Sequence, residues 1–150
     1  MDTRCKVFAY ITHNQRLLVM EHPHVPEAGI QVPAGTLEPG ESPEAGVLRE
    51  AFEETGLKNL YCEALLGEQI RLMTDFGLAQ IHHRYFFHLT CPGPVAERWR
   101  QDELHPSDGS STPITFEFYW VSLPHGVPPL IADHDRFLPD LVTALGIRDV

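Results

Sequence analysis

Apolar and β-branched residues fill residues 4–12 and again 16–21, and the polar trio His13, Asn14 and Gln15 between them reads as the turn of a hairpin. Residues 22–29 hold two prolines and a glycine and predict a loop, followed by a short strand at Ile30, Gln31 and Val32 that stops at Pro33. Residues 36–42 carry Pro39 and Gly40 and read as a turn-rich loop. Ser42 then offers an N-cap, Pro43 occupies the first helical position and Glu44 lies in the first turn, so a helix is expected to run to Thr55, with Gly56 as its stop. Strands are predicted at residues 60–66 and 81–89. Residues 91–113 are rich in proline and polar side chains and predict a long loop, with a short helix over 96–103. A loop of that length is usually functional or mobile. Residues 116–122 form a strand with Phe116, Phe118 and Trp120 on one face. A last helix is expected over 133–145, burying Phe137, Leu138, Leu141 and Leu145. Helices and strands are interspersed, which predicts an α/β or α+β class with a mixed sheet.

Composition narrows this picture. The chain has 150 residues, 43% of them hydrophobic, which suits one globular domain spanning 1–150. The apolar run at residues 7–11 is too short for a signal-peptide core or a membrane span, and nothing later is longer, so a soluble cytoplasmic protein is expected. Cys5, Cys62 and Cys91 are odd in number, scattered and without a CxxC pair, which argues for buried structural thiols over disulfides or a thiolate metal site. The formal charge of −10 repels the phosphate backbone of nucleic acid and speaks against such a partner. It leaves room for a small polyphosphate ligand whose contact is mediated by cations.

Residues 35–57, GTLEPGESPEAGVLREAFEETGL, carry the chemistry. On a helix at 100° per residue, Glu50, Glu53 and Glu54 fall within about 100° of one another. Gly46 shares that face one turn earlier, where a side chain would crowd whatever binds. Ala45, Leu48 and Phe52 take the opposite face and are expected to pack on the sheet. Three stacked carboxylates repel each other, and Arg49 is the sole basic residue in the helix. A solvated acidic face explains most such runs but fits poorly here. Mg²⁺ answers the repulsion, because it takes oxygen ligands and shares them with substrate phosphates. The Gly/Pro loop before the helix brings backbone close to metal or substrate.

This segment resembles the Nudix box, Gly-x5-Glu-x7-Arg-Glu-U-x-Glu-Glu-x-Gly-U, and matches it at Gly35, Glu41, Arg49, Glu50, Glu53, Glu54 and Gly56, with Ala51 and Leu57 at the apolar positions. A chance match to seven fixed positions is on the order of one in a million at ordinary residue frequencies. The resemblance implies an α/β/α sandwich with a mixed sheet, and Mg²⁺-assisted attack of water on a pyrophosphate linkage, with Mn²⁺ as a substitute cation. It implies a nucleoside diphosphate linked to another moiety as substrate: a nucleoside triphosphate, a nucleotide sugar or a dinucleotide polyphosphate. By the same resemblance Glu50, Glu53 and Glu54 are metal ligands, with the Gly35 backbone beside the metal. Glu53 or Glu54 instead holds the attacking water as base, and Arg49 and Glu41 orient the carboxylates and brace the loop. One departure is Pro33-Ala34-Gly35, where many members carry two glycines.

Other candidates are weaker. A further acidic residue is expected after the box; Glu97, Asp102, Glu103, Asp108 and Glu117 are available, each more simply a surface carboxylate, with Glu103 preferred. His22, His24, His82 and His83 lack zinc-ligand spacing and read as surface or core residues. Arg71 and Arg84 flank the strands after the box and are candidates for phosphate contact, though plain surface charge explains them as well. Phe8, Tyr10 and Phe76 are candidates for base stacking, with core packing the simpler role for Phe8. Trp99, Arg98 and Arg100 make the 91–113 segment a candidate recognition loop or a dimer contact, which leaves a homodimer open. The proline that marks ADP-ribose hydrolases downstream of the box is missing between Lys58 and Cys91. A nucleotide-sensing module without hydrolysis is the main alternative, but such modules usually lose a box glutamate. A calcium-binding structural protein fails because the carboxylates lie on a helix, without EF-hand spacing.

Overall fold

The unbroken apolar run at residues 7–11 is the mark of a strand buried on both faces. A computed structural model describes residues 1–103 and 113–148. In it β1 (Asp2–His13) runs through the middle of a mixed sheet, parallel to β5 (Gln80–Thr90) and antiparallel to both β2 (Arg16–Glu21) and β3 (Ala34–Thr36). β4 (Tyr61–Leu72) extends the β5 side; β7 (Ile114–Ser122) and β6 (Arg98–Glu103) extend the β2 side. The resulting order is β4-β5-β1-β2-β7-β6, with β3 paired to β1.

Side-chain alternation divides the core between the two faces. Val7, Ala9 and Ile11 join Leu18, Met20, Phe118 and Trp120 under the helix α1 (Pro43–Thr55). Phe8 and Tyr10 join Val19, Phe86 and Phe137 under α2 (Leu138–Ala144). Each buried Val, Leu, Ile, Met or Phe side chain among these contributes roughly 1.5–3 kcal/mol. A helix on each face of the sheet is the expected α/β/α arrangement. No helix among the described residues is long and apolar enough to cross a membrane.

Several expectations need correction. Residues 98–103 are a strand; the alternation of exposed Arg98, Arg100 and Asp102 with half-buried Trp99, Gln101 and Glu103 has period two. At residues 30–32 there is only an isolated bridge between Gln31 and Met20; the short strand lies just beyond Pro33. The last helix starts at Leu138, because Ala132 and Asp133 adopt left-handed φ values of 51° and 62° that a helix cannot continue through. It buries Leu141, and Phe137 is buried at its N-cap, whereas Leu138 and Leu145 are half-buried. Of the cysteines, all free, only Cys91 is buried; Cys5 is exposed and Cys62 half-buried.

Candidate active site

Ser42 starts α1 as expected: its Oγ accepts the Ala45 N–H at 3.2 Å, an interaction worth about 1 kcal/mol. Gly56 ends the helix in the left-handed conformation, its N–H donating to the Phe52 carbonyl. The packed face is not the expected one. Val47, Ala51 and Thr55 are buried together with Glu54, while Ala45 is exposed, Leu48 half-buried and Phe52 49% exposed. The acidic edge of the helix therefore leans onto the sheet margin, and the whole helix is rolled accordingly.

Arg49 organises this edge. Its guanidinium grips Glu41 through two hydrogen bonds, Nε to Oε2 at 2.6 Å and Nη2 to Oε1 at 2.8 Å. It also donates to Glu50 at 2.9 Å, to Glu53 at 3.2 Å and to the Thr36 carbonyl at 3.2 Å. Glu41 in turn accepts the Glu38 N–H at 3.1 Å, so the pair locks the 36–42 loop against the helix. Arg49 beside it, with the Glu38 N–H, holds the Glu41 carboxyl down at about 2. Gly46 is needed for the same contact: a Cβ there would overlap Leu37 and crowd Glu41, so what it makes room for is the loop.

Glu50 and Glu54 lie deeper. Burial pushes both carboxyls up, well above the ordinary value for Glu54, and the charge of Glu103 on β6 pushes each in the same direction. Glu54 Oε1 accepts the Ala34 N–H at 3.4 Å. Gly35 passes so close to Glu50 that a Cβ would overlap its carboxyl group. Glu53 is 56% exposed, its Oε2 bonded to Arg49.

Four carboxylates thus gather with one arginine between them, and that arginine is committed first to Glu41. Among the described residues no three histidine, cysteine or acidic side chains converge as a ready ligand set. The donor chemistry nevertheless suits a hard divalent cation, because oxygen ligands of uncompensated charge are already held on one helix edge beside the Gly35 backbone.

The candidates outside the box separate clearly. The charge of Glu103 acts on the box carboxylates Glu50 and Glu54. Glu97 pairs with Arg16 at 2.6 Å, Asp102 accepts from Thr115 at 2.7 Å, and Glu117 pairs with Arg98 at 3.1 Å. Asp108 lies outside the described residues. Trp99 is a packing residue, stacked on Phe118 with its Nε1 donating to the Thr55 carbonyl at 3.0 Å. Arg71 is bound to Asp75 and Asp133. Tyr10 is buried, donating to the His134 carbonyl at 2.6 Å. Phe76 is 44% exposed under the Arg71 guanidinium. His83 lies on Glu68 at 2.8 Å, and His22 and His24 meet edge to edge, without further ligand-type neighbours.

A cavity of about 210 Å³ adjoins this edge at Gly35, on the α2 face of the sheet, and Lys6, Arg84 and His134 line it. Lys6 and His134 were not singled out by the sequence. The usable signal is parity, since Lys6 shares a face with Phe8; the register that sets it opposite Arg84 is a long-range pairing no local pattern reveals.

A NUDIX domain model matches residues 3–141. Solved structures of similar fold include the ORF135 protein of E. coli, with TM-score 0.65 and 18% identity, covering 100% of this chain and 96% of that one. The MutT protein from Methanosarcina mazei Go1 aligns with TM-score 0.64 and 23% identity, over 96% of each chain. An ADP-ribose pyrophosphatase from Streptococcus suis aligns with TM-score 0.59 and 18% identity, over 95% of this chain and 90% of that one. No curated protein matches the sequence. With the box residues assembled on α1 and the domain model spanning nearly the whole chain, this protein belongs to the NUDIX family, hydrolases that act on pyrophosphate bonds.

Proposed function

We propose that this chain is a Mg²⁺-dependent hydrolase, with Mn²⁺ as a substitute, that cleaves the pyrophosphate linkage of a nucleoside diphosphate attached to another moiety. The observation that carries this reading is the gathering of Glu50, Glu53 and Glu54 on one helix edge at the Gly35 loop, with Arg49 bonded to the first two and the charge of Glu103 acting on Glu50 and Glu54. Glu50, Glu53 and Glu54 would hold the metal, with the Gly35 backbone beside it and Glu103 as a further acidic group. When bound, the cation acidifies water and neutralises charge on the phosphate oxygens.

The chain's own residues do the rest by position. Arg49 and Glu41 fix the helix edge to the loop, so the carboxylates keep their spacing as substrate arrives. As the water oxygen bonds to phosphorus and the bridging P–O bond breaks, the proton of the water passes to a carboxylate of this edge. Glu53, more than half exposed, is the more accessible acceptor; Glu54 is the more enclosed. The products are a nucleoside monophosphate and the phosphorylated remainder of the substrate, which is pyrophosphate when the substrate is a triphosphate.

Several features support a small nucleotide as partner. The overall charge of −10 disfavours a nucleic-acid polymer, and the cytoplasm supplies both nucleotides and Mg²⁺. The test is a panel of nucleoside triphosphates, nucleotide sugars and dinucleotide polyphosphates, assayed for product in Mg²⁺ and in EDTA. Cleavage of at least one class in Mg²⁺ and its loss in EDTA is the expected result. Equal rates in the two conditions would overturn the metal assignment, and no product from any class would overturn hydrolysis.

A further inference from the structure

Arg84 is 2% exposed, yet among the described residues its Nε has no hydrogen-bond partner and its guanidinium contacts no carboxylate. One Nη donates to the Ala132 carbonyl at 2.6 Å, and the group lies 4.8 Å over the Phe8 ring. A buried guanidinium with an idle donor is costly unless something supplies the missing acceptor.

The surroundings deepen the imbalance. Lys6, paired with Arg84 in the β1–β5 register, donates to Thr36 Oγ1 at 2.6 Å, a neutral partner. His134 accepts the Val32 N–H at its Nδ1, so in its neutral form Nε2 carries the proton and is a donor. Lys6, Arg84 and His134 all line the cavity at Gly35, and its lining includes no aspartate or glutamate. In a chain with 21 acidic and 11 basic residues, a wall of donors free of carboxylates is a marked local reversal. Burial, with repulsion from Arg4 and Arg84, pushes Lys6 down, and burial, with repulsion from Arg71, holds Arg84 at about 10.

The cavity offers a nucleobase no ring to stack on. Phe8 is 3% exposed, stacked on Phe86, edge-on to His134 and covered by Arg84, so it keeps no open face for a nucleobase. At about 210 Å³ the space is below the 300–1,000 Å³ usual for sites that enclose a whole drug-sized ligand. It suits one compact anion.

We infer that this cavity receives a phosphoryl group of the substrate beyond the two joined by the scissile bond, held by Lys6, Arg84 and the His134 Nε2–H. The inference rests on the proposed function and selects among its substrates. Gly35 belongs to both the cavity and the carboxylate edge, so a phosphoryl group in one is contiguous with a pyrophosphate at the other. A chain of three or more phosphoryl groups satisfies both, whereas a nucleotide sugar with a neutral sugar leaves the cavity's donors unmet.

The test has two arms, with Lys6→Met and Arg84→Gln as variants. In EDTA, titration with inorganic phosphate should raise the thermal midpoint of the wild type saturably, and Kd should weaken at least tenfold in each variant. In Mg²⁺, kcat/KM for a nucleoside triphosphate and for a dinucleotide polyphosphate should fall at least tenfold further in Lys6→Met than kcat/KM for a nucleotide sugar. If Arg84→Gln does not fold, Lys6→Met carries both arms, since its side chain is only partly buried. Wild-type phosphate affinity in Lys6→Met, or equal losses for substrates with and without a third phosphoryl group, overturns the inference and leaves the cations a structural role around Ala132. If nothing is hydrolysed, the proposed function fails, and the phosphate titration still decides the cavity.

Discussion

Two clusters of like charge meet at Gly35, one acidic under α1 and one basic on the α2 face, and they are built differently. The acidic cluster is braced: Arg49 holds Glu41, Glu50 and Glu53 in a network of hydrogen bonds, and Glu54 is the member left to burial. The basic cluster has no such brace. Lys6 and Arg84 lean on neutral oxygens and an aromatic ring, in a chain with carboxylates to spare. A structural charge finds a partner within the fold, as Arg71 does with Asp75 and Asp133. Charges that fold without one are set for something that arrives from outside.

The sharpest way to break this comparison is to neutralise the acidic side. Glu54→Gln and Glu50→Gln should each lower kcat by about 10²–10³-fold. In EDTA the thermal midpoint of Glu54→Gln should stay level or rise, because burial disfavours the charged carboxylate there and no cation among the described residues is paired with it. A lower midpoint with kcat intact would mean these carboxylates serve the fold.

A smaller effect is expected from Glu103, which acts on the same cluster from β6. Glu103→Gln should lower kcat by about 10–100-fold. Glu97→Gln, by contrast, breaks only the exposed pair with Arg16 and should leave kcat at the wild-type value. Equal responses from both would remove β6 from the site.

The basic side should show itself in acid. Burial holds His134 down at about 3 and His82 at about 4, against an ordinary value near 6.5. The folded chain therefore binds these protons less tightly than the unfolded chain. Their contribution is complete above pH 6.5 and is lost as pH falls towards the folded values. The slope is at most about 1.4 kcal/mol per pH unit for each histidine. Thermal melts from pH 7 to 5 should show a falling midpoint. His134→Asn, which keeps an acceptor for the Val32 N–H, should start lower and fall less steeply. A parallel decline in both proteins would show that acid acts elsewhere.

Much of this was legible from residues alone, and what was not has a common cause. The caps Ser42 and Gly56, the hairpin at 13–15 and the inward face of Phe116, Phe118 and Trp120 follow local rules and are found as expected. The helical wheel placed the acidic residues together but rolled the helix the wrong way, because it takes polar side chains to be exposed and Glu54 is buried. The same assumption hid β6: two of its three inward positions are Gln101 and Glu103, so the period of two carried no hydrophobic signal. Lys6 went unnoticed because its meaning depends on Arg84, which a distant strand supplies. Sequence rules fail here where polar residues turn inward, and those are the places where a site is formed.

The parallel pairing of β1 with β5 also sets a timetable. Residue 2 meets residue 80 and residue 12 meets residue 90, so β1, with its apolar run at 7–11, leaves the ribosome long before β5 exists. The first hairpin must wait with one flank bare until β5 is made, and with the other until residues 114–122 arrive to cover β2. Bare edges of an apolar strand invite association with other chains, and closing such long loops slows folding. Assembly of this sheet therefore waits on its later strands, and the strand that carries Lys6 is made before the others of the sheet and is among the last to be enclosed.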